Sequence, residues 1–293
     1  MRPAPTGSAA RTRASTAIGD PVTADLCAAI GLDALGGIGT GLTPTFDNRQ
    51  DPPGCSVTLS AGQKPVVGLS VFADAGVPRA ATGRTTRTEA GETVYVYPFE
   101  ASTGRCEREI DARRVLLVVD SYQPGAAKVD RATACAGTDA MTARLADVVN
   151  SDNVPRLGLP SPTVSDLNAC AVVRRAGITS LSDFAKGALR SLSFGVGCQI
   201  RPANVFLFVN FVLSSTRRPP GSTSTTVGTH TVYAVSTTGG FCSYFSAQGQ
   251  TSDRRYEQIA LAATATDPNT APAALCEQTK VALGRYLDAA GLR

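Results

Sequence analysis

The sequence predicts an α+β protein of two homologous domains. Each is a mainly antiparallel sheet of about five strands, flanked by an N-terminal and a C-terminal helix and braced by two disulfides. Three observations predict this. First, Cys27, Cys55, Cys106 and Cys135 recur as Cys170, Cys198, Cys242 and Cys276, with displacements of 143, 143, 136 and 141 residues. Second, the surroundings match: ADLCAAIGL beside DLNACAVVRRAGI, TVYVYPFEASTGRC beside TVYAVSTTGGFC, and CAGTDAMTARLADVV beside CEQTKVALGRYLDAA. A repeat of about 140 residues is long enough to be a domain in its own right. Third, helical patterns stand before and after a run of strand-like segments joined by short connections, which separates the chain from alternating βαβ folds.

In the first repeat, residues 22–150, Asp25 is suited to cap a helix from about Leu26 to Leu35, which Gly36 and Gly37 stop. A turn-rich stretch containing DPPG follows. Five strand-like segments come next: CSVTLS from Cys55, VVGLSVFA from Val66, TVYVYPF from Thr93, RCEREI from Arg105 and VLLVVDSY from Val115. A helix from about Lys128 to Val149 closes the unit, with Met141, Leu145 and Val149 at helical spacing.

The second repeat, residues 165–293, gives the same order: a helix from Asp166, strands near 198–203, 205–213, 229–236, 240–246 and 255–263, and a helix over Pro272–Ala290. Val205–Leu213 is apolar at odd and even positions alike except Asn210, as expected of an inner strand covered on both faces. Between the repeats, SDNVPRLGLPSPTV (151–164) carries three prolines and reads as a semi-stiff linker. Residues 1–21, polar and dotted with arginine, read as a disordered tail.

Composition excludes several classes of function. The 293 residues are 43% apolar, enough for a core in each domain. Only 18% are charged and the net charge is +4, far from the dense basic surface of a sequence-independent nucleic-acid binder. A single histidine, His230, and two methionines leave little material for histidine metal sites or proton relays. No metal or cofactor is expected.

The cysteines are never closer than 28 residues, so no C-x-x-C pair offers zinc ligation or a redox dithiol. Disulfides in an oxidising compartment explain them better. Pairing confined to one repeat and matched in both leaves three patterns, and sequence order favours Cys27–Cys55, Cys106–Cys135, Cys170–Cys198 and Cys242–Cys276. Two readings fit the lack of an apolar signal segment in the first twenty residues: the signal or anchor has been removed, or the chain is cytosolic with reduced cysteines. The repeated, even cysteine set favours export. The longest strongly apolar run, Val205–Leu213, is too short to span a bilayer, so a soluble body is expected.

The order of helix cysteine, first-strand cysteine, late-strand cysteine and terminal-helix cysteine resembles the actinobacterial cell-envelope lipoprotein domains of unknown function. It is similar to the two-disulfide extracellular sensor domain of PknH-type receptor serine/threonine kinases. Each repeat would be one such domain, over about residues 22–150 and 165–291. The resemblance implies secretion and lipid anchoring, but supplies no catalytic residues. The lipid-attachment cysteine of those families has no counterpart here.

Candidate chemistry is sparse. GGIGTG at Gly36–Gly41 follows a helix instead of opening one, and so reads as a loop and not a dinucleotide site. His230 aligns with Glu92 and is expected at the exposed start of a strand; a serine hydrolase would rest wholly on it, and no G-x-S-x-G is present. Glu107, Glu109 and Asp111 alternate on one strand face with Arg108 on the other, either a solvated face or a cation site. RRPPGSTSTT (217–226) reads as a hairpin connection whose Arg217 and Arg218 are suited to an anionic lipid or glycan.

The expected function is a non-enzymatic extracytoplasmic binding or sensor module. Its partner would be a lipid, glycan, small molecule or envelope protein, with the groove between domains as one place for it. The alternatives are a structural or assembly lipoprotein acting through protein contacts, and a hydrolase using His230.

Overall fold

The computed structural model describes residues 16–47, 49–50, 53–124, 129–159, 163–202, 204–236, 240–252, 254–266 and 272–292. The described chain divides into two compact units between Leu157 and Gly158, inside the proline-rich stretch. On the first side of this boundary, the Pro155 carbonyl accepts from Asp25 N–H (2.8 Å) and Leu157 N–H donates to Thr23 (2.8 Å); on the second, Ser252 N–H donates to Gly158 (2.9 Å).

The first unit opens earlier than expected. Residues 1–15 of the anticipated tail lie outside the described residues, but Thr16 and Gly19 exchange backbone hydrogen bonds and Ile18 is fully buried, so residues 16–21 belong to the fold. Helix α1 runs only from Leu26 to Ile30, capped by the Asp25 carboxylate accepting from Ala28 N–H at 3.0 Å. It stops at Gly31, whose φ of +66° ends the helical path five residues before the predicted stop; a separate 3₁₀ turn covers Asp33–Leu35. Strands β1 (Leu42–Phe46), β2 (Gly54–Ala61), β3 (Lys64–Asp74), β4 (Thr85–Glu89), β5 (Glu92–Val96), β6 (Glu107–Asp111) and β7 (Leu116–Tyr122) then precede α2 (Arg131–Asn150). The sheet is antiparallel throughout, in the order β1-β2-β3-β7-β6-β5-β4.

In the second unit the predicted start at Asp166 gives way to a 3₁₀ turn, Val164–Asp166, closed by a capping box with Thr163. Helix α3 (Ala169–Arg175) begins after Asn168, which caps it through Ala171 N–H at 3.0 Å. Strands β8 (Ala188–Leu192), β9 (Gly197–Arg201), β10 (Val205–Ser214), β11 (Thr223–Val227), β12 (His230–Ser236), β13 (Phe241–Gln250) and β14 (Tyr256–Ala265) lead to α4 (Pro272–Ala290). Their order, β11-β12-β13-β14-β10-β9-β8, reproduces the first sheet strand for strand, and β10 is an inner strand as its apolar pattern required.

Each sheet therefore has seven strands, not about five. The missed strands are β1, β4, β8 and β11, the two edges of each sheet. An edge strand buries little, so LTPTF, TTRTE, ALRSL and TSTTV carry too little apolar content to announce themselves.

The long helix of each unit covers one sheet face. Leu69, Val71, Leu117 and Val119 face Met141, Leu145 and their neighbours on α2; Leu207, Val209, Phe211 and Leu261 are the corresponding core in the second unit, with Leu283, Tyr286 and Leu287 of α4. The bridges Cys27–Cys55 and Cys170–Cys198 join the first helix to an inner strand, at Cα separations of 5.2 and 4.9 Å. Cys106–Cys135 ties the residue just before β6 to the long helix of the first unit, and Cys242–Cys276 ties β13 to that of the second, at 5.2 and 5.3 Å. Four disulfides, two per half, point to an oxidising extracytoplasmic environment. No helix among the described residues is long and apolar enough to cross a membrane.

Candidate functional site

On the sheet face away from α2, the first unit carries a closed ionic network. Glu107 and Glu109 project there from β6, as the period of two requires, but they are only 3% and 4% exposed. The expected solvated strand face is thus a buried one, because the segments 75–84 and 97–105 lie over it and neutralise it. Glu107 takes Arg79 Nη2 at 3.0 Å and Arg105 Nη2 at 2.7 Å, and Arg105 continues to Asp120 at 2.9 Å. Glu109 accepts from the Arg79 backbone N–H (3.2 Å) and from the Tyr97 hydroxyl, while the Arg79 guanidinium stacks over the Tyr97 ring at 4.6 Å. Asp111 remains exposed and joins neither, so the three acids do not assemble as a cation site; among the described residues no cluster of three metal-ligating side chains exists.

Arg108 projects to the opposite face, as expected, and is buried against α2 with Asp139 at 2.8 Å. Asp139 also takes Arg87 of the edge strand at 2.8 Å.

Burial dominates the titration of this network. It raises Tyr97 to about 12, helped by the neighbouring Glu109 carboxylate. It also raises Asp120 above its ordinary 3.8, against the opposing pull of the Ser70 hydroxyl and Arg105. A carboxyl whose folded pKa exceeds its unfolded one binds more protons when folded, so its contribution to stability falls as pH rises from about 3.8 through the raised value. Asp120→Asn is therefore expected to remove a pH-dependent loss of stability in that window. Unfolding free energies measured across it should converge toward low pH; curves that run parallel would contradict the assignment.

His230 opens β12, but is 3% exposed instead of solvated, because its side chain turns toward α4. Its Nε2 lies 2.7 Å from Asp288 Oδ1, a carboxylate 71% exposed on that helix. Nδ1 is buried without a hydrogen-bond partner, so among the described residues no hydroxyl completes a Ser-His-Asp arrangement. Gly36–Gly41 lead from the 3₁₀ turn into β1, a connection with positive φ at Gly37, Gly39 and Gly41.

The second unit opens a cleft that its sequence only hinted at. Arg217, Thr229, Thr231, Tyr233, Ser246 and Ala247 line a half-open recess of about 140 Å³ beside β12 and β13. Buried Gln258 on β14 fixes the backbone there, its amide donating to the carbonyls of Thr216 (2.9 Å) and Arg217 (3.1 Å). The two loop arginines part company. Arg218 is spent on the Ser222 carbonyl, whereas the exposed Arg217 guanidinium has no acidic partner among the described residues. Ser246 is buried, donating to the Thr231 carbonyl (3.4 Å) and accepting from the Gln248 amide (2.7 Å). Sequence reasoning missed Tyr233, Ser246 and Gln258, which are separated along the chain and meet only across the strand pairings.

Neither a protein-family model nor a curated protein sequence matches this chain. Among solved structures it is similar to the di-domain ARO/CYC StfQ from the steffimycin biosynthetic pathway, at 13% identity, 91% coverage of this chain, 90% of that one and a TM-score of 0.16. It is also similar to DynU16 from the dynemicin biosynthetic locus, at 12% identity, 80% and 82% coverage and a TM-score of 0.15. With TM-scores this low, neither likeness bears on the fold or activity of this chain.

Proposed function

We propose that this chain is a non-enzymatic binding or sensor module of the cell envelope, built from two copies of the lipoprotein-type domain that its cysteine order resembles. It would be held at the membrane by an N-terminal lipid or signal anchor. Disulfides in every terminal-helix junction support the compartment. The observation that carries the binding role is the cleft at Arg217, where a cation with no acidic partner among the described residues, three hydroxyl-bearing side chains and an aromatic phenol converge on one recess. Such convergence of polar groups in a concavity is the usual form of a small-ligand site.

Native mass spectrometry of the protein exported by its own host tests this reading. A small molecule lost on denaturation, and lost also from a Thr231→Glu variant that fills the cleft, is the expected result. Protein that carries no added mass, and whose melting temperature no envelope extract raises, would overturn it.

A further inference from the structure

We infer that the cleft of the second unit takes an oxyanion borne on a small hydroxylated scaffold, with Arg217 as its anchor; this rests on the binding role proposed above. The argument comes from comparing the two copies at matched strand positions. Tyr95 faces Glu109 across β5 and β6, and Tyr233 faces Phe245 across β12 and β13, so these two pairs occupy the same place in their sheets. Two residues back along β6 and β13, the ladders to β7 and β14 set Glu107, opposite Asp120, against Ser243, opposite Ala262. The carboxylates of the first copy are therefore Ser243 and Phe245 in the second.

The connections that follow β3 and β10 are likewise counterparts, and both carry arginines. In the first copy, Arg79 and Arg84 stack on Tyr97 and Tyr95 at 4.6 and 4.9 Å, and Arg79 is neutralised by Glu107 at 3.0 Å. In the second, a loop arginine and the counterpart of Tyr95 remain, as Arg217 and Tyr233, while Tyr97 is replaced by Val235 and both acids are gone. The first copy thus supplies from its own chain the carboxylate that the second leaves to be supplied from outside. A guanidinium that shares one recess with a phenol and threonine hydroxyls suits a carboxylate or phosphate flanked by hydroxyls.

Two further features fit. Gln258 replaces Leu116 of the first copy and holds the carbonyl of Arg217, which fixes the loop before any ligand arrives. The recess of about 140 Å³ lies below the roughly 300–1,000 Å³ of drug-sized sites, which limits the occupant to one head group or sugar ring.

A free sugar acid, a free phosphate and a lipid head group share this chemistry, and separate probes distinguish them. The full, oxidised chain would be titrated with D-glucuronate, glycerol 1-phosphate, glucose and glycerol, following amide shifts of Thr229, Thr231 and Tyr233 by NMR. Phosphatidylglycerol and phosphatidylcholine vesicles form a sedimentation arm. Glucuronate or glycerol phosphate is expected to shift these amides, with at least a tenfold loss of affinity in Arg217→Ala and in Thr231→Glu, and a smaller loss in Gln258→Leu. Sedimentation with phosphatidylglycerol alone, lost in Arg217→Ala, would assign the oxyanion to a lipid. Arg217 and Thr231 are exposed, so these variants should fold, and an unchanged thermal midpoint checks that they do. Neutral glucose or glycerol binding as tightly as the acids, with Arg217→Ala unaffected, would overturn the oxyanion while leaving the binding role intact. No response to any probe or vesicle would overturn both.

Discussion

Removing the Cys242–Cys276 bridge, by reduction or by the double change Cys242→Ala and Cys276→Ala, is expected to lower the unfolding free energy of the second unit by roughly 3–4 kcal/mol. The bridge closes a loop with a sequence separation of 34, and on the chain-entropy model a loop of that length restricts the unfolded chain by about this amount. Both cysteines are buried, so the loss includes the fastening of α4 to β13 as well as the loop closure. Denaturant titrations of oxidised and reduced protein, each fitted for the two units, provide the measurement. Coincident midpoints for the second unit would show that the bridge does not hold the helix. Because every bridge joins a helix to an inner strand or, at Cys106, to the residue just before one, full reduction should loosen α1, α2, α3 and α4 together, seen as faster amide exchange in the helices than in the inner strands.

Tyr286→Ala is expected to cost about 3–5 kcal/mol, the range for removing a large aromatic side chain from a packed core. Tyr286 is 1% exposed on α4, and burial alone pushes its phenol upward, so the side chain acts as a neutral, space-filling group. Tyr286→Phe should therefore cost far less. Denaturation midpoints of the two variants separate these effects: an alanine variant within about 1 kcal/mol of the parent would mean that the helix does not rest on this residue.

The sequence made the inner parts of each unit legible. Strands such as CSVTLS and VLLVVDSY bury a side chain at every second position or on both faces, and that burial is written as apolar periodicity. The edge strands Thr85–Glu89 and Thr223–Val227 lacked that signal, since only a neighbour on one side fixes them. Helix ends were less legible than helix existence. Leu35 continues the apolar pattern of α1, yet Gly31 breaks the helix before it and a 3₁₀ turn carries Leu35 into the core.

For the candidate site, Arg217 was singled out from the sequence, but not its surroundings. Glu107 and Glu109 looked like a solvated face, because alternation tells which residues share a side and not what lies over that side. His230 was placed at an exposed strand start, since its alignment with Glu92 suggested tolerance of charge; the structure turns it inward to Asp288.

By itself the sequence determined the duplication, the strand-rich core, the helices at each end and the spacing that lets two cross-links form in each copy. These are one-dimensional properties: periodicity, displacement and the chemistry of cysteine. Only the tertiary structure decided that the first copy neutralises its loop arginine with Glu107 while, among the described residues, the second sets no acid against Arg217 in the recess it shares with Tyr233. That difference depends on which side chains meet across strands far apart in the chain, and register, not local composition, sets those meetings.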